Sequence, residues 1–459
     1  MTQASSNGDG AKITDWGRIE SAHVSRIVSV RSEGQLAQTV ADAARCGSSV
    51  SVRGIAHSAG GQSFCPRAVV LDMRQFNKVL GLDTAACTIR VQSGATWGDI
   101  TPLLESHRLS VTTKQEFDTF TIGGSLAANV HGKSVDYGPL IEAVDSFRLV
   151  KPDGTIISVS PSENAELFSG VLGGFGMLGP IVDATLKLVP DRVVRKCEIA
   201  RMNLSELCRS YIQRIQAGGN CPPVCYGFLT PDCTRGFYVT YEYVESDGDW
   251  RPKGDALQRD EVKPLIFDVF IELQRRSSWV RNRSLDIMWM TGGGAEETLR
   301  SRRLLLWDRP PRVFEGMLLQ KYFVPKDCFV DFARSAGRIF DKYPDLALAA
   351  NHFRWVPGSA KALLAAAPED SICMIPCYLA RKGDARWTER LRNATHELLN
   401  AALELGGRQY LAFDIFANCE QFRRGYKRSP EFLALKRRHD PDVRFSSMLY
   451  EKFGRAAST

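Results

Sequence analysis

The sequence predicts an α+β protein with two domains or three. The chain has 459 residues, more than one hydrophobic core usually organises. Near the N-terminus, strand-like and helix-like segments follow one another in a β-α-β-β order. No GxGxxG turn follows the first of these strands, so a doubly wound nicotinamide-binding sheet is not expected.

The elements of the N-terminal region are predicted from hydrophobic patterning and from helix-start signals. Short apolar runs closed by polar residues, and alternating runs, indicate strands. Ser32 stands where a helix N-cap is expected. The predicted strands cover 27–30, 49–53, 68–73, 88–93, 146–150 and 155–159, and the predicted helices cover 32–46 and 96–107.

A glycine-rich loop follows the strand at 49–53. It reads SVRGIAHSAGGQS from Ser51 to Ser63 and places its glycines around His57. Glycine lets backbone N–H groups approach an anionic ligand closely, as loops that bind phosphate do. The loop is therefore predicted to bind phosphate, and the alternative is a glycine-rich turn with a surface histidine.

Two further glycine-rich segments follow in the same region. Glu116–Gly138 reads EFDTFTIGGSLAANVHGKSVDYG, and positions 170–179 of Gly170–Pro190 hold five glycines. Small side chains allow a flat ligand to lie against the backbone. A tight turn before a packed helix would explain the glycines of the first segment, but not its His131–Gly132 pair. The three segments together predict one extended ligand in the first domain.

From residue 191 the pattern changes. Strands are predicted over 236–244 and 317–324, and helices over 329–340 and 387–405. Between them, residues 269–312 mix tryptophans with arginines, which is compatible with a substrate entrance or with contact to a membrane surface. The alternative is an irregular, solvated loop over a sheet.

Composition narrows the class of protein. The formal charge of +7 favours an anionic ligand or surface, but it is too small to argue for nucleic acid. The N-terminus lacks the apolar core of a signal peptide, and no apolar run is long enough for a transmembrane segment. The twelve cysteines are expected to be reduced thiols of a cytoplasmic protein. Their loose spacings predict no metal site.

In combination, the motifs resemble those of a known family. RGIAHSAGGQS, then TIGG with HG a few residues later, then SENAELFSGVLGGFGMLGPI are similar to the vanillyl-alcohol-oxidase, or PCMH-type, flavoproteins. The last motif, with DWGR at Asp15–Arg18, resembles cytokinin dehydrogenases. TIGGSLAANVHGKS, GGRQYLAFD and DPDVRFSSM resemble decaprenylphosphoryl-ribose oxidases and, more distantly, sugar-lactone and alditol oxidases. The likeness is dense over 15–190 and loose over 317–453.

The resemblance implies a bound FAD and a division of the chain. Residues 1–190 would form a PCMH-type FAD-binding domain of two subdomains. Residues 191–405 would form a substrate domain, or cap, in which helices accompany an antiparallel sheet. Residues 406–459 would return to the FAD domain. The protein is expected to be a monomer or a homodimer.

The family's cofactor contacts carry over to this chain residue by residue. The histidine that many members link covalently to the flavin 8α-methyl matches His57, whose neutral imidazole is a suitable nucleophile. The ribose-oxidase branch lacks that histidine. The other matching positions are Arg53, Gly54, Ile55, Ala56, Ser58 and Gln62 in the pyrophosphate loop, Thr121, Ile122, Gly123, Gly124, Ala128 and His131 along the ring, Ile181 at the adenine and Tyr410 near the ring.

Glu116 is the first candidate for the catalytic base. It matches the catalytic aspartate of cytokinin dehydrogenases, and burial would raise its pKa and suit it to accept a proton. A solvated turn glutamate is the alternative, and Asp118 is the second choice. The ribose-oxidase branch uses a lysine where this chain has Phe413, so the adjacent Asp414 is the other catalytic candidate.

The resemblance implies an FAD-dependent oxidoreductase, an oxidase or a dehydrogenase. Flavin N5 would accept hydride from a CH–OH group of a sugar, polyol or natural-product intermediate, and molecular oxygen or another acceptor would take the electrons. Oxidation of a CH–NH group, as in cytokinin dehydrogenases, is the alternative. A flavin-storing scaffold without activity is a third hypothesis, which the His57 loop disfavours.

Overall fold

The computed structural model describes residues 10–198, 201–218, 221–245, 262–286, 299–301, 316–413 and 416–455. Helices and sheets are mixed throughout this part of the chain, and most of the strands pair antiparallel. No helix among these residues combines the length and the apolar character needed to cross a bilayer.

The strands are numbered here in chain order. They are β1 (Lys12–Thr14), β2 (Ser21–His23), β3 (Arg26–Ser29), β4 (Val50–Arg53), β5 (Val69–Asp72), β6 (Val79–Asp83), β7 (Thr88–Gln92), β8 (Leu109–Val111), β9 (Val144–Val150), β10 (Ile156–Val159), β11 (Ile181–Pro190), β12 (Val193–Glu198), β13 (Met202–Asn203), β14 (Val224–Leu229), β15 (Arg235–Tyr243), β16 (Leu299–Ser301), β17 (Met317–Leu319), β18 (Tyr322–Pro325), β19 (Leu348–Val356), β20 (Ser371–Leu379) and β21 (Arg408–Gln409).

The helices are numbered in the same way. They are α1 (Glu33–Arg45), α2 (Trp97–Ser106), α3 (Ile122–Ala127), α4 (Ala165–Val171), α5 (Leu204–Ile215), α6 (Val262–Arg276), α7 (Ser278–Asn282), α8 (Phe329–Lys342), α9 (Ala385–Glu404), α10 (Cys419–Gly425), α11 (Ser429–His439) and α12 (Met448–Phe453).

Two sheets form the N-terminal part of the molecule. A short β1–β2 hairpin precedes a parallel three-stranded sheet in the order β3-β5-β4. Helix α1 covers this sheet, because Ser32 caps its first turn and its buried side chains, Leu36 and Val40 among them, share one core with Val50 and Leu71. The second sheet is antiparallel, in the order β10-β9-β11-β7-β6, with β8 also paired to β11.

A third, larger sheet contains the strands after residue 191. Ten strands contribute to it, and its main path is β16-β12-β15-β14-β19-β20-β18-β21. Helices α5 and α8 carry apolar faces, and Tyr211, Phe329, Phe332 and Phe353 are among the fully buried side chains of this region. Every pairing within this sheet is antiparallel.

The C-terminal segment contacts the N-terminal sheets. Val50 forms a parallel bridge with Phe445, and the Ser51 hydroxyl donates to the Ser446 carbonyl at 2.7 Å. The buried Lys436 ammonium forms an ion pair with Asp440 and donates to the carbonyls of Met177 and Phe445, each at 2.6 Å. Helix α11 is therefore tied to the third glycine-rich segment.

Most predicted elements of the N-terminal region are present, with boundaries shifted by one or two residues. The strand predicted over 317–324 is instead two strands, β17 and β18, separated by Gln320 and Lys321. The opposing strand β20 has Pro376 at this point. Proline has no N–H to donate, so the ladder breaks there, and the Gln320 N–H donates to the Pro376 carbonyl at 3.2 Å.

The arginine-rich segment at 269–312 was expected to be an irregular loop or a substrate entrance. Its described residues, 269–286, are mainly helical, belonging to α6, α7 and a final helical turn, so the irregular loop is wrong for this stretch. Residues 299–301 form the edge strand β16, and the other residues of the segment lie outside the described ranges.

Candidate active site

The three glycine-rich segments meet around one elongated cavity. Its empty volume is about 1200 Å³, including space open to solvent. Ser93 and Ile181 lie along its wall together with all three segments, and Lys321, Tyr410 and Phe413 line it from the later part of the chain. The arrangement brings residues far apart in the sequence around one extended ligand-sized space.

Most of the predicted cofactor residues line this cavity. They are Gly54, Ile55, Ala56, His57, Ser58, Gln62, Thr121, Gly123, Gly124, Ala128, His131, Ile181 and Tyr410. Arg53 and Ile122 do not line it. The Ile122 side chain is fully buried in the core, and its N–H donates to the Ala95 carbonyl at 2.7 Å. Asp414 lies outside the described residues.

The His57 loop is supported from the N-terminus. The Asp15 carboxylate accepts from the Gly60 N–H at 2.8 Å. The Trp16 ring stacks on the His57 imidazole with ring centroids 4.0 Å apart, and Phe120 meets it edge-on at 4.6 Å. Burial, helped by the nearby Lys382 charge, lowers the pKa of His57 to about 4. His57 is therefore a neutral imidazole at the cavity wall.

Glycine is required at two close contacts of the first two loops. A Cβ at Gly54 would lie 2.2 Å from the Thr121 hydroxyl oxygen, and a Cβ at Gly123 would lie 2.7 Å from the Cβ of Ser93, at the end of β7. Real Cβ atoms do not come this close, so the first loop packs on Thr121 of the second, and the second on Ser93, only with glycine at these positions.

Buried polar atoms at the cavity wall fit a polar cofactor. Gln62 Oε1, Ser93 Oγ and His131 Nδ1 have no hydrogen-bond partner among the described residues, and all three residues line the cavity. Buried polar atoms normally find a partner, so unpaired ones along a cavity indicate a ligand that supplies it. The residues present therefore fit FAD, whose phosphates, ribityl hydroxyls and ring heteroatoms offer donors and acceptors.

Lys321 occupies one end of the cavity, and the sequence reasoning missed it. Its ammonium lies 3.4 Å from His131 Nε2, 5.6 Å from the centre of the Tyr410 ring and 5.0 Å from that of Phe413. Burial, followed by the charge of Arg354, lowers its pKa to about 8. The detectable signal was a Gln-Lys pair interrupting an otherwise apolar strand pattern.

The other aromatic and imidazole groups at this end are held in place. The Tyr410 hydroxyl donates to the Ala128 carbonyl at 2.8 Å. Burial, followed by the charges of Lys321 and Arg354, holds the pKa of His131 well below its usual range. His131 is thus neutral, whereas the pKa of Lys321, about 8, lies close to physiological pH.

Glu116 does not line the cavity but lies in a charge cluster near this end. Its carboxylate pairs with Lys133 at 2.6 Å and with Arg354 at 3.6 Å. The expected rise in its pKa is wrong. Burial alone raises the pKa, but the charges of Lys133 and Arg354 outweigh burial and hold it below the ordinary glutamate value. A carboxylate that binds its proton so weakly is a poor base.

Asp118, the second candidate for the catalytic base, is also part of an ion pair. Its carboxylate forms an ion pair with the buried Lys114, four residues earlier in the chain. Neither carboxylate of this segment is therefore presented to the cavity as a free acceptor.

Known proteins with an FAD binding domain are similar to the N-terminal part of this chain. A family model described as an FAD binding domain matches residues 24–160. L-gulonolactone oxidase of Mus musculus is 27% identical over 182 residues, which are 40% of this chain and 41% of that protein. L-gulono-1,4-lactone dehydrogenase of Mycobacterium tuberculosis is 31% identical over 166 residues, 36% of this chain and 38% of that protein.

A third relative is a cytokinin dehydrogenase rather than a sugar-lactone enzyme. Cytokinin dehydrogenase 7 of Oryza sativa subsp. japonica is 29% identical over 191 residues, 40% of this chain and 36% of that protein. The chain thus spans well under half the length of these curated relatives. Over its N-terminal part, the chain is similar to PCMH-type FAD oxidoreductases, and the match to an FAD binding domain indicates FAD as the cofactor.

Proposed function

We propose that this protein is an FAD-dependent oxidoreductase that oxidises a CH–OH group of a sugar, a polyol or a natural-product intermediate. When bound, FAD supplies the hydride acceptor at N5. One observation carries the proposal: the cavity lined by the glycine-rich loops is also lined by the half-buried Lys321 and by neutral His131. The two sugar-lactone enzymes among the relatives support a CH–OH donor.

Lys321 is the group we assign to the proton of the substrate hydroxyl. A lysine whose pKa is near 8 is partly unprotonated at neutral pH and binds a proton firmly enough to act as a general base. Tyr410 and Phe413 flank its ammonium and limit the access of water. The ribose-oxidase branch has its lysine at the position of Phe413. In this chain, Lys321 comes from the break between β17 and β18 and places its ammonium 5.0 Å from the Phe413 ring.

Glu116 and Asp414 were the catalytic candidates from sequence. Glu116 is better suited to holding Lys133 and Arg354, because its lowered pKa disfavours proton uptake. Asp414 lies outside the described residues, and we keep it as a second candidate for the base because it follows Phe413, which lines the cavity.

The covalent attachment of FAD through His57 belongs to the same proposal. The neutral imidazole at the cavity wall supports it, because only the unprotonated ring is nucleophilic. The new C–N bond replaces one C–H of the flavin methyl and the imidazole N–H. Two protons and two electrons are released, and the electrons pass to the acceptor used in turnover, oxygen or another oxidant.

The finer architecture is also proposed. The parallel sheet and the antiparallel sheet before residue 190 support an FAD domain of two subdomains. The ten-stranded sheet supports a substrate domain at 191–405, although β21, at 408–409, pairs with β18 of that sheet. The contacts of Phe445 and Ser446 with β4 support a C-terminal segment that returns to the FAD domain. The twelve cysteines are free, which supports a cytoplasmic location.

The donor class is tested by anaerobic mixing of the purified flavoprotein with panels of alcohols and amines. We expect polyols or sugar derivatives to bleach the flavin absorbance and amines to leave it unchanged. Bleaching by amines alone would assign the CH–NH chemistry suggested by the cytokinin dehydrogenase relative. If no compound in either panel bleaches the flavin, neither chemistry holds.

The covalent bond is tested by acid precipitation and intact-protein mass spectrometry. We expect the flavin to stay with the precipitated chain and the mass to exceed that of the polypeptide by one FAD. His57→Ala is expected to release all flavin into the supernatant. The exposed His23, replaced in the same way, is the control. Flavin in the supernatant of the native protein contradicts the covalent link.

A further inference from the structure

Arg354 carries a buried guanidinium that has no hydrogen-bond partner among the described residues. It lies on β19 with 5% of its surface exposed. No hydrogen bond from its side chain is found among the described residues, and its Nε is buried without an acceptor. Its nearest carboxylate oxygen, on Glu116, is 3.6 Å away, beyond a hydrogen bond to a guanidinium. A buried charge left in this state is costly, so an unmet partner is implied.

Glu116 is not a full partner for the Arg354 guanidinium, because its carboxylate lies closer to another cation, Lys133. The Lys133 ammonium, itself 9% exposed, donates to Glu116 at 2.6 Å and also lies 4.6 Å above the Tyr226 ring. Lys321 adds a third cation, whose pKa is lowered partly by the charge of Arg354. Three cations therefore share one carboxylate, and the imidazoles of His131 and His352, both with lowered pKa, add no negative charge.

The cluster faces open space rather than a closed core. The Glu116 carboxylate lies 2.6 Å from the Lys133 ammonium and 3.6 Å from the Arg354 guanidinium, yet 31% of its side chain is accessible to solvent. In the register of the sheet, Arg354 on β19 and Phe323 on β18 both lie opposite Cys373 on β20. The Phe323 ring is 5.0 Å from the ring of His131, which lines the cavity, so the cluster lies beside that part of the cavity.

We propose that Arg354 binds an anionic group of the substrate, a carboxylate or a phosphate. A guanidinium offers paired N–H donors that match the oxygens of either group, and such charge-assisted bonds are strong. The anion would supply the acceptors that Arg354 lacks and offset the excess of positive charge. The inference rests on the proposed function, and it narrows the substrate to an acidic or phosphorylated alcohol.

Kinetics with matched donors test the inference. D-glucitol is the neutral probe, D-gluconate the carboxylate probe and D-glucitol 6-phosphate the phosphate probe, each mixed anaerobically with the holoprotein. We expect at least one anionic probe to reduce the flavin more efficiently than D-glucitol. Arg354→Gln is expected to lower kcat/KM for that probe by about 10-fold or more beyond its effect on D-glucitol, which reports the changed pKa of Lys321 alone. The exposed Arg386→Gln is the control.

A second variant separates anion binding from damage to the fold. Glu116→Gln removes the competing carboxylate, so the anionic probe should bind several-fold more tightly, opposite in sign to the effect of Arg354→Gln. A purely structural role of the ion pair would weaken binding in both variants. The preferred anion, carboxylate or phosphate, is the one whose KM responds to both substitutions.

Binding without turnover keeps the test independent of the proposed function. Inorganic phosphate and acetate are titrated into the oxidised holoprotein while the visible flavin spectrum is recorded. If no alcohol reduces the flavin but phosphate or acetate binds and Arg354→Gln abolishes the binding, the anion site stands and the proposed function fails. Equal anion affinity in both proteins overturns the inference. Loss of FAD from Arg354→Gln also overturns it, because the guanidinium then serves the cofactor.

Discussion

At the scale of single residues, Lys321 is the proposed general base for the proton of the substrate hydroxyl. Replacing it with methionine removes the base and keeps much of the side-chain volume. We expect Lys321→Met to lower kcat by about 100-fold to 10,000-fold, the usual contribution of general acid–base catalysis. FAD content should not change. Lys427→Met, at an exposed lysine, is the control.

The pH profile distinguishes a base from a merely structural lysine. Lys321 must be unprotonated to accept the proton, so the native kcat should rise with pH through about 8 and level off above it. The groups around it are neutral His131, the cation Arg354, the carboxylate of Glu116 and the thiols of Cys373 and Cys377. In Lys321→Met the rise near pH 8 should vanish. A rise retained in the variant assigns it to another group.

Most of the residues that line the cavity from the glycine-rich loops were predictable from sequence, and Lys321 was not. Loops such as 54–62 are recognisable because their residues form one contiguous motif. Lys321 reaches the cavity through a strand break that depends on Pro376, which lies more than fifty positions further along the chain. The partners that lower the pKa of Glu116 come from separate elements, so patterning did not reveal them.

At the scale of elements, α11 fastens the C-terminal segment to the third glycine-rich loop. Lys436 and Asp440 are each 1% exposed, and the lysine also bonds the carbonyls of Met177 and Phe445. Lys436→Met would leave the Asp440 charge buried without its cation. We expect the free energy of unfolding to fall by about 3–5 kcal/mol in urea denaturation.

A double variant separates the stranded charge from lost packing. Lys436→Met with Asp440→Asn removes both charges and keeps one oxygen, which can accept from either the Arg444 or the Phe445 N–H group. It should be more stable than Lys436→Met alone. If both variants lose the same stability, the ion pair is not the source of the effect.

At the scale of the whole molecule, buried histidines link stability to pH. Burial, followed by neighbouring cations, lowers the pKa of His57 to about 4, and burial likewise lowers that of His352 to about 3. An unfolded histidine titrates near 6.5, so between these values the unfolded chain binds more protons than the folded one. The contribution of each neutral histidine to the free energy of unfolding is fully present above about pH 6.5. It is lost as the pH falls, and the loss reaches about 2 kcal/mol for each histidine at pH 5.

His352 offers the cleaner test, because it packs against Phe228 with ring centroids 4.5 Å apart, whereas His57 lines the cavity. Urea unfolding at pH 7 and pH 5 gives the loss of stability on acidification. His352→Gln cannot take up the proton, so its loss between the two pH values should be smaller than that of the native protein by about 2 kcal/mol. His23→Gln, at an exposed histidine, is the control. An unchanged acid sensitivity in His352→Gln would mean that the pKa of this imidazole is not lowered by folding, so that it is protonated at pH 5. The Glu116 cluster would then carry one more positive charge.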